Sequence, residues 1–290
     1  WVFCLLALTP TCIFQAASVS ADAFTYGICF LTIAHFLFYA FDENSKFAKL
    51  DVIKIFALSL IAVLCKQAYI LLPLLFLLIP RRKVGSTSKY AATFLALLFV
   101  CIAAEFAWAY ALKPIYLPYR IDMPINPEMQ ASFIINQPLT FAKMVLYNYF
   151  NYRGYYIRTF FGQLTWLDLY VPAYLIVFYC ILTIITAALD KNLEISVSKF
   201  NKLIFSVIII GTAALISALL YMTWSQIHGD TIEGIQGRYF IPIAPLIFLL
   251  CYNKKFQWKS FNRYIPLIVF TAVVFSMIIT LNTVFNRYYI

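Results

Sequence analysis

The sequence has 290 residues, of which 63% are hydrophobic and 19% aromatic, and its mean hydropathy is +0.84. This composition excludes a soluble globular protein and predicts a multi-pass membrane protein. The formal net charge of +10 is divided among short clusters between apolar runs. This distribution argues against a nucleic-acid partner and indicates a membrane topology signal instead.

Lysine and arginine are concentrated in every second connection between the apolar runs. Such connections face the cytoplasm in membrane proteins. The bias therefore predicts that the connections between the clusters lie on the extracytoplasmic side. The four clusters are Lys46, Lys49 and Lys54; Arg81, Arg82, Lys83 and Lys89; Lys191, Lys199 and Lys202; and Lys254, Lys255, Lys259 and Arg263.

The chain begins at Trp1 inside an apolar run, which predicts that a segment upstream belongs to the full protein. Residues 1–10 are predicted to be the end of an outward helix. Residues 11–22, which are rich in small and hydroxyl side chains, are predicted to form an outer connection. Residues 23–41 then return to the first basic cluster.

Residues 50–64 and 68–79 are two apolar pieces separated by Cys65, Lys66 and Gln67, with basic clusters at both outer flanks. Each piece reaches about 20 Å as a helix, which is less than the ~30 Å of the hydrocarbon core. The pair therefore predicts a broken helix with Lys66 at a buried bend in the outer half of the membrane.

The second half of the chain predicts further spans and one long extracytoplasmic segment. That segment, 113–168, contains five prolines, and its aromatic part at 147–156 suits an amphipathic helix on the outer leaflet. One transmembrane domain accounts for residues 1–290. The remaining predicted pieces are spans at 91–112, which contains Glu105, at 169–189, 203–224, 240–252 and 264–285, and an outer connection at 225–239.

Arg238 lies in the stretch GIQGRYFIP, residues 234–242. Counting back the ~20 residues of a spanning helix from the basic pair at 254–255 reaches Gly234, so Arg238 lies at or below the outer membrane surface. A cation at that depth needs an anionic or polar partner. The glycines would let backbone approach a ligand closely, and the guanidinium suits a phosphate. The alternative is a structural ion pair with Asp230 or Glu233.

Two other segments carry candidate polar groups. Asp22 could orient an acceptor hydroxyl or act as a general base, or it could stabilise a helix start that Ser18 or Ser20 caps. Lys66 could bind a phosphate as a point charge, or its ammonium could reach interfacial water along the helix.

Two weaker signals lie in the outer connections. His228, Asp230 and Glu233 offer ligands for a divalent cation, although three polar residues in a wet loop are usually just solvated. This is the only cofactor that the sequence suggests. Trp166, in the segment 162–168, could stack on a sugar or lipid, or belong to an interfacial aromatic belt.

Four segments of the chain resemble the bacterial DUF2142 family of predicted multi-pass membrane proteins: residues 15–22, 66–73, 162–172 and 234–242. The GIQGRYF stretch is the most specific of them. That family resembles the GT-C superfamily of membrane glycosyltransferases, which take a sugar from a polyprenyl-phosphate carrier on the extracytoplasmic side. The resemblance implies a catalytic carboxylate in the first outer loop. That loop, with the main catalytic carboxylate, would lie upstream of Trp1, so this sequence departs from the family pattern there. Asp22 is a separate candidate, which the resemblance does not assign to that role.

The expectation is an all-α, GT-C-like transmembrane bundle with short broken helices in a bacterial cytoplasmic (inner) membrane. The resemblance implies transfer of a sugar from a polyprenyl-phosphate carrier to a cell-envelope glycan or lipid, with membrane lipid and the carrier as partners. The alternatives are a polysaccharide polymerase or ligase and a non-enzymatic transporter or flippase. The residues expected to bind the substrate or carrier phosphate are Lys66, Arg238, Gln236, Tyr69, Tyr239, Gln15 and Asp230.

Overall fold

The computed structural model describes residues 1–115, 124–190, 195–227, 229–252 and 259–290, which are helical apart from connections and one short strand pair. The α-helices are α1 (Val2–Ala7), α2 (Pro10–Ala17), α3 (Ala21–Phe41), α4 (Lys49–Cys65), α5 (Arg81–Val84), α6 (Thr87–Leu112), α7 (Pro127–Asn136), α8 (Pro138–Asn151), α9 (Arg153–Phe161), α10 (Ala173–Leu189), α11 (Lys199–Thr223), α12 (Ala244–Leu250) and α13 (Lys259–Tyr288). The 3₁₀ segments are Gln67–Tyr69, Leu72–Leu78, Lys113–Ile115 and Gly237–Ile243. Strand β1 (Gln163–Leu164) pairs antiparallel with β2 (Leu169–Tyr170).

Four of the described helices, α3, α6, α11 and α13, are long and apolar enough to cross a membrane. Their outward faces carry large apolar side chains: Leu95, Phe99 and Phe106 of α6 are 63%, 70% and 73% exposed. In water such an apolar surface would promote aggregation, whereas in a membrane it is solvated by lipid. The structure therefore agrees with a multi-pass membrane protein.

Serine N-caps fix where three of these helices begin. The Oγ atoms of Ser20, Ser86 and Ser198 each accept a backbone N–H from the first turn of α3, α6 and α11, at 3.1 to 3.2 Å. Each cap satisfies a donor that has no partner within its own helix. For α3, this is the capping that the sequence offered as an alternative role for the segment before Asp22.

Two broken segments interrupt the bundle where continuous helices would otherwise run. The first comprises residues 66–78, and the second is Gly237–Ile243. The chain leaves α4 after Cys65, and Lys66 is extended, as the spacing of the apolar pieces predicted. The next turns are 3₁₀ rather than α, with Pro73 in the first broken segment and Pro242 in the second. Proline removes a backbone donor and disrupts an α-helix interior. Both segments pack against α3 and α11, which supply protein around the irregular backbone.

The opposite ends of the bundle differ in chemistry. A cavity of about 970 Å³ is bordered by Phe41 and Asp42 at the end of α3, Asp190 after α10, Ile195 before α11 and Tyr252 after α12, which places these connections at one end. We call this end the lysine-rich face. Because the 21 residues of α3 extend about 32 Å, its first residues lie at the other end, which we call the site face.

Two lysines of the lysine-rich face bind the ends of helices. The Lys83 ammonium donates to the carbonyl oxygens of Tyr39 and Asp42, at 2.9 and 2.5 Å, and to Ser45 Oγ at 2.7 Å. Lys202 donates to the carbonyl oxygens of residues 250 and 252 after α12, at 2.7 and 3.0 Å. Terminal carbonyls lack partners within their own helix, and a cation there also suits the helix dipole.

Two boundaries predicted from the sequence are wrong. The expected outer connection at 11–22 contains helix α2, because Pro10 occupies its first turn and Thr9 Oγ1 accepts the N–H of Cys12 at 3.2 Å. The expected span at 169–189 begins later, since its first two residues form β2 and α10 begins after Pro172.

The predicted aromatic helix at 147–156 is divided, because α8 ends at Asn151 and α9 begins at Arg153. Its position on the leaflet stays a prediction. Asn148 Nδ2 donates to the carbonyl oxygen of Ile232 at 2.7 Å, and α9 packs against the 3₁₀ segment Gly237–Ile243. This segment therefore packs on the site face.

We expect Lys83→Met to lower the free energy of unfolding by about 1–3 kcal/mol, because it leaves the carbonyl oxygens after α3 without their charged donor. Thermal unfolding in detergent micelles measures the change. Arg82→Met, at an exposed neighbouring position of the same short helix, is the matched control. Equal unfolding midpoints for the two variants would contradict the capping role of Lys83.

Candidate functional site

An ion pair joins the start of α3 to the second broken segment. Arg238 Nε lies 3.5 Å from Asp22 Oδ2, and the two side chains are only 22% and 21% exposed. Asp22 is in the first turn of α3, and Arg238 follows Gly237 at the start of the 3₁₀ segment. The ion-pair alternative stated for Arg238 named the wrong carboxylates, because the partner shown is Asp22 and Asp230 is exposed.

A second cation enters the same site from the first broken segment. Lys66 Nζ lies 3.6 Å from the centroid of the Tyr239 ring, and Arg238 Cζ lies 5.8 Å from it. An aromatic face attracts a cation, most strongly where water is scarce. Lys66 also interacts electrostatically with Asp22 and Arg238. The ammonium is therefore held over a ring within the site.

Tyr69 connects the two broken segments. It is 1% exposed, and its hydroxyl donates to the carbonyl oxygen of Tyr239 at 3.0 Å. Lys66 precedes a single 3₁₀ turn that ends at Tyr69, so this hydrogen bond fixes the turn that presents the ammonium. Five of the residues predicted from the sequence thus meet at one place: Asp22, Lys66, Tyr69, Arg238 and Tyr239.

The charges of this cluster do not cancel. Lys66 and Arg238 bring two positive charges, and Asp22 brings one negative charge. Attraction is stronger in a partly buried site than in water, so the surplus positive charge favours an anionic ligand. A phosphate suits it, since guanidinium and ammonium groups are the usual protein donors to phosphate oxygens.

The glycines of the GIQGRYF stretch serve contacts within the protein. Gly234 has φ +80°, and a Cβ there would lie 2.7 Å from the Trp224 ring. A Cβ on Gly237 would overlap the carbonyl oxygen of Tyr156, and its N–H donates to Thr159 Oγ1 at 2.6 Å. The close approach that Gly237 permits is to the backbone of α9, where the sequence had suggested a ligand.

Three other residues that were predicted to bind the substrate differ in their positions relative to the ion pair. Gln236 immediately precedes the 3₁₀ segment, and its buried Oε1 atom accepts no hydrogen bond from the described part of the protein. Gln15 is buried on α2, which packs against α3. Asp230 is exposed and acts electrostatically on Tyr221, so the structure does not bring it to the cluster.

The proposed metal ligands form no complete set within the described ranges. There, no group of three or more His, Cys, Asp or Glu residues could hold a metal ion. His228 lies outside the described residues. The backbone N–H of Glu233 donates to Ser225 Oγ at 3.0 Å, which fixes this part of the connection.

Three residues near the site were missed by the sequence reasoning. Tyr26 is 6% exposed and lies one helical turn after Asp22, so the i, i+4 spacing on α3 could have found it. Tyr155 of α9 lies near Tyr239 and Arg238. Thr159 accepts the Gly237 N–H. No local pattern connects α9 with Gly237, because their contact is tertiary.

Glu105 of α6 is a buried carboxyl group beside the first broken segment. It is 8% exposed, and neither carboxyl oxygen has a hydrogen-bond partner among the described residues. Gln67, which follows Lys66 in the chain, is its polar neighbour. An ionisable group at membrane depth is expensive to bury, so its position next to the break is consistent with a site at that level.

A family model described as "Predicted membrane protein (DUF2142)" matches residues 1–247. The chain belongs to the DUF2142 family. No curated protein and no solved structure matches it. Asp22, Lys66 and Arg238 all lie within the matched residues, so the cluster belongs to the DUF2142 region of the chain. The family description states a membrane location and no activity.

We expect Gly237→Ala to lower the free energy of unfolding by about 1–3 kcal/mol or more, because the added methyl group overlaps the backbone of α9. Gly27→Ala is the control, since a Cβ at Gly27 meets nothing within 4 Å. Alanine also favours a helix over glycine, so the control is neutral or slightly stabilising. Thermal unfolding of both variants distinguishes the effects, and equal midpoints would mean that the contact with α9 is not tight.

Proposed function

We propose that the protein is a membrane glycosyltransferase that moves a sugar from a polyprenyl-phosphate carrier to a cell-envelope glycan or lipid. The observation that carries the proposal is the meeting of Lys66 and Arg238, from two broken segments, with Asp22 at the start of a spanning helix. The basic residues of the opposite face support an extracytoplasmic position for this site. In this proposal the membrane is the cytoplasmic membrane of a bacterium.

Lys66 and Arg238 bind the carrier phosphate in this proposal. When the bond between the sugar and the phosphate breaks, negative charge develops on the leaving phosphate. Cations already held in place lower the energy of that charge without reorganising during the reaction. The Tyr239 ring contacts the Lys66 ammonium, and the Tyr69 hydroxyl holds the Tyr239 backbone in place.

Asp22 receives the acceptor in this proposal. Its carboxylate accepts a hydrogen bond from an acceptor hydroxyl and takes the proton as the acceptor oxygen bonds to the anomeric carbon of the sugar. The bond from that carbon to the phosphate oxygen breaks with its electron pair, and polyprenyl phosphate leaves. Atoms and charges balance without a metal or redox partner.

The distribution of charge favours this function over transport. A transporter presents polar groups along a path through both leaflets. In the described parts of α3, α6, α11 and α13, Glu105 is the one Asp, Glu, Lys or Arg away from the helix ends. The cluster is confined to the site face, which suits an enzyme that acts on one side.

The other alternative function is a polysaccharide polymerase or ligase. The length of the product distinguishes transfer of one sugar from transfer of a polymer.

We expect Arg238→Gln and Lys66→Met each to weaken binding of polyprenyl monophosphate by about tenfold or more, because a charge-assisted hydrogen bond contributes about 1.5–3 kcal/mol. The measurement is binding of radiolabelled polyprenyl monophosphate to the protein in lipid vesicles. This probe is the carrier without its sugar, so the sugar need not be known.

Arg287→Gln is the matched control, because Arg287 is an exposed arginine whose ion pair is with Asp168, at 3.1 Å. Exposed pairs contribute little to stability. The control should bind polyprenyl monophosphate like the wild type. If Arg238→Gln and Arg287→Gln bind it equally well, the carrier phosphate does not bind at the cluster and the proposed function is wrong.

We expect Asp22→Asn to slow sugar transfer by about a hundredfold or more, because an amide cannot take the acceptor proton. Carrier binding is retained or strengthened, since the substitution removes no cation and takes away the carboxylate that is paired with Arg238. The rate is followed as release of polyprenyl monophosphate from a radiolabelled polyprenyl-phosphate hexose in membranes. Asp168→Asn removes an exposed carboxylate from the Arg287 pair as the control. An unchanged rate in Asp22→Asn would reduce Asp22 to a helix-start residue.

A further inference from the structure

A groove of about 320 Å³ lies between the start of α9 and the stretch that precedes Arg238. Its lining consists of Tyr152, which lies between α8 and α9, Tyr155 and Tyr156 of α9, and residues 231–235. This volume is at the small end of the range for ligand sites, about 300–1,000 Å³. It suits one or two small rings.

The residue types in the groove indicate the chemistry of a ligand. Three tyrosines supply flat apolar faces with hydroxyl groups at their edges. Glu233 adds one acidic residue, and the described residues that line the groove include no lysine or arginine. Among those described lining residues, a phosphate or another anion would find no counter-ion. A neutral molecule with apolar C–H faces and many hydroxyl groups, which is a sugar ring, fits this combination.

The groove lies near the charged cluster. Gly234 lines it, and Arg238 follows four residues later, so their Cα atoms lie at most about 14 Å apart. Tyr155 lines the groove and also lies near Arg238 and Tyr239. Gly237 holds this stretch against α9 through the Thr159 contact. The relative positions of groove and cluster are therefore set by packed backbone.

We propose that this groove binds a sugar ring of the acceptor, next to the carrier-phosphate site. This inference rests on the proposed function for its assignment to the acceptor. The donor sugar is attached directly to the carrier phosphate and so lies at the Lys66 and Arg238 end. A ring in the groove would be held separately from that phosphate, which is the arrangement that transfer between two sugars requires. The acceptor is thus a glycan.

Tyr152 provides the sharpest test, because 45% of its surface is exposed and its loss leaves no large hole in the core. In the groove its ring stacks on the C–H face of the sugar. Tyr152→Ala removes the ring, whereas Tyr152→Phe retains it and removes only the hydroxyl. Tyr147→Ala is the matched control, since Tyr147 is a 57% exposed tyrosine of the preceding helix that does not line the groove.

The experiment is saturation-transfer difference NMR on the protein in lipid nanodiscs, without any sugar-based detergent. The probes are the methyl glycosides of glucose, galactose, mannose and N-acetylglucosamine. We expect ring C–H signals for at least one glycoside. Its binding should weaken by about fivefold in Tyr152→Ala and remain near wild type in Tyr152→Phe and Tyr147→Ala.

Two results would overturn the inference: no glycoside gives a signal with the wild-type protein, or Tyr152→Ala binds the glycoside as Tyr147→Ala does. Binding of polyprenyl monophosphate is measured on the same samples. Loss of glycoside binding with Arg238-dependent carrier binding intact removes the groove and leaves the proposed function standing. Tyr152-dependent glycoside binding with carrier binding indifferent to Arg238 supports a sugar site and removes the proposed function.

Discussion

The ion pair between Arg238 and Asp22 is the interaction on which the site face depends. A charge that leaves water without a partner costs several kcal/mol, and both of these side chains are about four-fifths buried. Each therefore stabilises the other in its partly buried position, although they are separated by most of the chain. Lys66 joins them over the Tyr239 ring, and Tyr69 fastens its turn to the Tyr239 carbonyl oxygen. The start of α3 and the two broken segments are thus stabilised as one unit.

The broken segments make this arrangement possible, but they leave backbone groups without helical partners, and α9 supplies a partner for one of them. A continuous helix satisfies its own backbone groups, whereas a break leaves some of them without partners at a depth where water is scarce. The N–H of Gly237 is one such group, and Thr159 Oγ1 accepts it. The approach is so close that a side chain on Gly237 would overlap the Tyr156 carbonyl oxygen. Helix α9 therefore both satisfies the irregular backbone and holds one side of the tyrosine groove beside the cluster.

The sequence predicted the break at Lys66, because each apolar piece is shorter than the membrane is thick and the basic clusters lie only at the outer flanks of the pair. It also selected Asp22, Tyr69, Arg238 and Tyr239, since polar groups beside apolar runs stand out. It did not find which carboxylate meets Arg238. The nearest in the chain are Asp230 and Glu233, but packing of the 3₁₀ segment on α3 brings Asp22 within 3.5 Å. Helix α2 was not predicted, although Thr9 and Pro10 form a helix-start signal, because the small and hydroxyl residues that follow are typical of a connection. The contact between Gly237 and α9 could not be predicted, because a tertiary contact produces no periodic pattern in the sequence.

The same ion pair connects carrier binding to acceptor activation under the proposed function. Without a ligand, Asp22 is the counter-ion shown for Arg238. A phosphate that binds Lys66 and Arg238 competes with Asp22 for the guanidinium, because two anions cannot both make their best contacts with it. Displacement of Asp22 then leaves its carboxylate to accept a hydrogen bond from an acceptor hydroxyl arriving from the groove. The site would be prepared for transfer only when the carrier is in place, which limits unproductive reaction with water.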